Sequence, residues 1–102
     1  MKLVLFRLEK TKWFPVPYEE LFQICKEALS FLGFEIDRMD QVEGIIEARK
    51  PSHWPFRSKE RFTLRVGHDS RVEVIAQIDP NKAVSPEGLV VDRFFSAVWE
   101  LI

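Results

Sequence analysis

The sequence predicts an α+β domain of order β-α-β-β-β-β-α, with a mostly antiparallel curved sheet and two helices packed on one of its faces. Three observations predict it. A segment around residues 17–32 and another at the end of the chain carry apolar residues at helical spacing. The segments between residues 34 and 78 alternate apolar and polar residues, as half-buried strands do. The links between those strands are short, which makes consecutive strands neighbours in a meander.

Residues 2–9 read as the first strand, with Val4, Phe6 and Leu8 on one face and Leu3 and Leu5 on the other. Lys10 to Val16 reads as a connection containing Trp13 and Phe14. Pro15 and Pro17 bracket a helix start, because proline lacks the N–H that the first turn leaves unpaired anyway. The helix is expected over about 17–32. Tyr18, Leu21, Phe22, Cys25, Ala28, Leu29 and Leu32 form its apolar stripe. Glu19 and Glu20 occupy the first turn, where the helix dipole favours anions. Gly33 suits the residue just past the end, which adopts positive φ.

Phe34 and Ile36 begin a strand, and Asp37 to Gly44 reads as a turn. Ile46 and Ala48 belong to the next strand, with Glu47 and Arg49 facing out. Phe62, Leu64 and Val66 then alternate with Arg61, Thr63 and Arg65. Gly67-His68-Asp69-Ser70 has the composition of a hairpin turn. Val72, Val74, Ala76 and Ile78 alternate with Arg71, Glu73, Ile75 and Gln77. One sheet face is therefore apolar and the other largely solvated. Ser85-Pro86-Glu87 reads as a helix start, with Ser as N-cap and Pro at the first position. Val91, Phe94, Phe95, Val98, Leu101 and Ile102 continue as the second stripe, widened by Trp99. Both helices need an apolar surface, and the sheet offers one such face.

The 102 residues are enough for one domain, spanning 1–102. Hydrophobic residues are 46% of the chain and charged residues 30%, a balance that argues against disorder. Nine Phe and three Trp supply a core without disulfides. Cys25 is the only cysteine, so no disulfide forms within the chain, and a cytoplasmic location is expected. The net charge of −1 indicates no bulk polybasic or polyacidic character. No apolar run reaches the length of a membrane span, and the run before Arg7 is too short for a signal-peptide core.

Catalytic and metal chemistry has no motif here. Cys25, His53 and His68 lack paired metal-ligand spacing. Glu35, Asp37, Asp40 and Glu43 crowd one turn, but not with the alternation of a calcium loop. His68-Asp69 is an acid–base pair in principle, at a turn tip that cannot exclude water. There is no phosphate-cradling glycine loop, nucleophile elbow or metalloprotease helix, so no catalytic residue, metal or cofactor is expected.

The most unusual stretch runs from Arg49 to Arg61. It holds five Lys or Arg against one acid, with two aromatics between them. Arg49, Lys50, His53, Trp54, Phe56, Arg57, Lys59, Arg61 and, on the next strand, Arg65 form a candidate binding loop. Cations neutralise phosphates while aromatic faces stack on bases, so this composition suits single-stranded nucleic acid or an anionic surface. The competing reading folds Trp54 and Phe56 back to close the core edge, with solvated cations around them.

Gly33-Phe34, Gly44-Ile45-Ile46-Glu47-Ala48-Arg49, Phe62-Thr63-Leu64-Arg65-Val66, Ser70-Arg71-Val72-Glu73-Val74 and Phe94-Phe95 together give a pattern. It resembles small bacterial domains of unknown function with a helix ending in Gly-Phe, three strands and a closing helix with a Phe-Phe pair. Paired acids found in one such family are absent between Phe56 and Phe62. The resemblance implies the fold and no activity.

The functional expectation is a non-catalytic binding or interaction domain that self-associates as a homodimer. Its basis is the surplus of apolar residues at Trp13-Phe14, Trp54, Phe56, Ile75 and Trp99 to Ile102. The alternatives are nucleic-acid or anionic-surface binding through residues 49–65, and a small apolar ligand held between sheet and last helix.

Overall fold

The computed structural model describes residues 6–49, 61–78 and 87–102, and its order is β-α-β-β-β-β-α. The strands are β1 (Phe6–Trp13), β2 (Glu35–Asp40), β3 (Ile45–Arg49), β4 (Arg61–Val66) and β5 (Arg71–Ile78). The helices are α1 (Tyr18–Phe31) and α2 (Glu87–Leu101). All five strands join one curved antiparallel sheet in the order β1-β5-β4-β3-β2. The last four strands are the expected meander, and β1 closes the far side on β5.

Both helices lie on one face. α1 packs on β2 and β4, α2 packs on β1 and β5, and the helices meet each other. Between helices and sheet lies one core, with Ile46, Ala48, Phe62, Leu64, Val66, Val72, Val74 and Ala76 supplied by the strands. Leu21, Phe22, Ile24, Cys25, Ala28 and Leu29 enter it from α1, and Val91, Phe94, Phe95, Ala97 and Val98 from α2. Phe34 rests against Phe62 with ring centroids 4.7 Å apart. Burying an aromatic side chain of this size is worth about 1.5–3 kcal/mol relative to exposure.

Three expectations need correction. β1 runs on to Trp13, because all of Lys10 to Trp13 pair with Arg71 to Val74 of β5; the cross-strand ladder overrides the weak apolar pattern. β2 continues to Asp40, and the turn is only 41–44. An irregularity between Ile36 and Arg38 accommodates the extra residue Asp37, which breaks the two-residue alternation that would reveal the strand. Leu101 and Ile102 keep helical spacing with the α2 stripe but are exposed. Residues 2–5 of the expected first strand and the Ser85-Pro86 cap lie outside the described residues.

The end of α1 follows from Gly33. At φ +85° it turns the chain so that its N–H reaches the Ser30 carbonyl at 3.1 Å, while the Phe34 N–H reaches that of Leu29 at 2.9 Å. These two bonds satisfy carbonyls that a helix end leaves open, and they deliver Phe34 to the core.

Candidate functional site

The face of the sheet away from the helices is the first candidate surface. Strand register arranges it in rows. Arg7, Gln77, Arg61, Arg49 and Glu35 form one; Glu9, Ile75, Thr63, Glu47 and Arg38 form the next; Thr11, Glu73, Arg65, Ile45 and Asp40 form the third. Beyond them Trp13 stands opposite Arg71. Of the nine candidate loop residues, Arg49, Arg61 and Arg65 are on this face and exposed. Lys50, His53, Trp54, Phe56, Arg57 and Lys59 lie outside the described residues.

Charge is distributed unevenly over the face. Arg49 Nε is 3.1 Å from Asp37 Oδ1, and its terminal nitrogen is 3.6 Å from Glu35. Arg7 pairs with Glu9 at 2.7 Å, and Arg38 with Glu47 at 4.0 Å. These exposed pairs add little to stability, and they leave the β2–β3 margin with four carboxylates, Glu35, Asp37, Asp40 and Glu47, against Arg38 and Arg49. Among the described residues, Arg61, Arg65 and Arg71 form no ion pair. Arg61 stands directly across from Arg49, a like-charge juxtaposition that the Asp37 and Glu35 carboxylates relieve. Arg71 and Trp13 were not among the nine candidate loop residues, although Trp13 was counted in the apolar surplus. Strand parity was the available signal for Arg71; for Trp13 it was hidden, because its segment did not read as a strand.

The second candidate surface is the end of the fold where β1 and α2 finish and the β2–β3 and β4–β5 turns lie. Trp99 is 50% exposed and packs one side on the buried Phe14 ring, with centroids 5.0 Å apart. Leu101 and Ile102 follow it at 41% and 47% exposure, and Val42 in the β2–β3 turn is exposed as well.

Several of the other titratable groups take structural roles. Asp40 Oδ1 accepts hydrogen bonds from the Val42 and Glu43 N–H groups at 3.1 and 3.0 Å, so it shapes the turn. Among the described residues no group of three potential metal ligands comes together. Asp69 Oδ1 accepts from the Arg71 N–H at 3.3 Å, while the His68 ring stacks on Tyr18 with centroids 4.1 Å apart. His68 and Asp69 therefore take separate turn roles. The Tyr18 hydroxyl donates to the Gln41 carbonyl, and burial, followed by the Asp40 and Glu43 charges, raises its pKa. Cys25 is buried on α1, where desolvation pushes the thiol up to about 12. Phe14, Phe94 and Phe95 fill the space between sheet and α2, with centroids of 6.0 Å for Phe14–Phe95 and 5.6 Å for Phe94–Phe95. No helix among the described residues is long and apolar enough to cross a membrane. No protein-family model and no curated protein matches the chain.

Proposed function

We propose that this chain is a non-catalytic interaction domain that self-associates through the end carrying Trp99, Leu101 and Ile102. The observation behind the reading is that these three large apolar residues fall within the last four residues of the chain, at the end of α2, each at least two-fifths exposed. Exposed apolar clusters of this kind mark contact surfaces. Sedimentation velocity over a range of concentrations tests it. The expected result is a dimer that Leu101→Glu with Ile102→Glu converts to monomer without loss of fold. A wild-type monomer at high concentration overturns it. The cytoplasmic assignment belongs to the same reading and is supported by the reduced, buried Cys25; recovery of the protein in an oxidising compartment on cell fractionation would count against it.

A second reading, anion binding by the segment from Arg49 to Arg65, is favoured by the exposed placement of Arg61 and Arg65 on the sheet face away from the helices. Heparin-affinity retention that falls with Arg61→Ala and Arg65→Ala is the expected result.

A further inference from the structure

We infer that the sheet face away from the helices binds single-stranded nucleic acid along a diagonal track formed by Arg61, Arg65 and Arg71 and ending on the Trp13 indole. The inference rests on the anion-binding reading and names its ligand.

The track follows from register. Arg61 and Arg65 share β4 and one face, four residues and so about 13 Å apart along the strand. Arg71 lies one strand over, on β5. The Gly67 N–H bonds to its carbonyl at 2.8 Å, which sets Arg71 two positions beyond Arg65 along the sheet. Trp13 lies one strand further, directly opposite Arg71, a step of about 4.8 Å. The track thus crosses three adjacent strands, β4, β5 and β1.

Charge on the face is segregated. On the β2–β3 side Glu35, Asp37, Asp40 and Glu47 outnumber Arg38 and Arg49 by two, and Arg7 and Glu9 cancel. On the β4–β5 side Arg61, Arg65 and Arg71 stand against Glu73, with Asp69 in the adjoining turn, so the positive charge is confined to the track. The side chains between the arginines, Thr63 and Ile75, are half-buried and low, which lets a chain approach the sheet closely.

The indole selects the kind of polyanion. Trp13 is 60% exposed on the same face. A base stacks on such a ring, and an arginine beside it takes the neighbouring phosphate. An acidic peptide carries a ring only where its sequence places one, whereas a nucleic acid presents a flat ring in every repeat unit.

The test uses the full chain and a fluorescent oligothymidylate at low salt, followed by anisotropy as salt is raised. Binding is expected to weaken with a log–log slope of about −2, since three phosphate contacts on a single strand each contribute about −0.7. Trp13→Ala is expected to weaken binding about tenfold through the lost stacking. Arg61→Ala, Arg65→Ala and Arg71→Ala combined are expected to abolish the salt slope. Oligothymidylate should also quench a fluorescence component that Trp13→Phe removes. Circular dichroism checks that the variants remain folded, as substitution of exposed side chains should leave them. Equal binding of oligothymidylate and polyglutamate, with Trp13 unquenched, would overturn the nucleic-acid inference and leave anion binding standing. Failure to bind oligothymidylate, polyglutamate and heparin alike would overturn both.

Discussion

Lys12 Nζ lies 5.2 Å from the centroid of the Phe95 ring, on the helix side of the sheet. Its neighbour two residues back, Lys10, reaches Asp92 of α2 at 3.1 Å. β1 is an edge strand, and its free edge would otherwise offer another chain an open ladder. Two lysines turned inward make that ladder a poor template, and α2 holds them there by an ion pair and a cation–π contact.

Replacing both, as Lys10→Val with Lys12→Val, is therefore expected to produce edge-to-edge association. Size-exclusion chromatography with thioflavin binding should show assemblies larger than those of the wild type. Unchanged assembly size would show that the lysines do not guard the edge.

Ser70 adopts φ +67° in the β4–β5 turn, a conformation that costs a residue with a Cβ about 1–2 kcal/mol. Its hydroxyl donates to the Val16 carbonyl at 2.7 Å, and its own carbonyl accepts from the Phe14 N–H at 3.0 Å. The side chain thus ties the turn to the connection that leads into α1. Ser70→Ala loses the hydroxyl bond, about 1 kcal/mol, and keeps the strain. Ser70→Gly loses the same bond but relieves the strain. Urea unfolding is expected to rank Ser70→Gly above Ser70→Ala.

Gly44 and Gly33 both have positive φ, yet they should respond differently to substitution. A Cβ on Gly44 would collide with the Val66 carbonyl oxygen, whose own N–H bonds to the Gly44 carbonyl at 2.8 Å. A Cβ on Gly33 would meet nothing within 4 Å. Gly33→Ala should cost about 1 kcal/mol, the backbone term alone. Gly44→Ala should cost about 2 kcal/mol or more, because strand β4 must also move. Equal melting temperatures for the two variants would contradict this account.

The Cys25 thiol rises from 9.0 to about 12 through burial alone. The folded state then holds its proton more tightly than the unfolded state. Its contribution to stability is complete below pH 9 and is lost as pH rises toward 12. Denaturation curves should show stability falling over that range, and Cys25→Ala should flatten the fall while costing packing at neutral pH. The thiol should react with Ellman's reagent only as fast as the chain opens.

Much of the fold was legible because it rests on local periodicity. The stripe of α1, the alternation of β4 and β5, the Gly33 terminator and the turn at Gly67 to Ser70 are short-range patterns, and each led to the correct element. β1 was ended too early because Lys10 and Lys12 face the core side, so alternation there is charged rather than apolar. β2 was cut short because Asp37 adds a residue and breaks the period. In both places a partner strand supplies hydrogen bonds that the segment itself does not advertise.

The candidate sites divide along the same line. The sequence alone determined which side chains carry charge or rings, that Cys25 sits on an apolar helix stripe, and that one sheet face is solvated. Only the tertiary structure decided that Arg49 is neutralised by Asp37 and Glu35, that Trp13 joins Arg71 on the sheet face away from the helices, and that Leu101 and Ile102 pass beyond the core. Those outcomes depend on strand register and on where the sheet ends beneath α2. Register and length of contact are set by long-range pairing between segments, and no periodicity within a single segment encodes its partner.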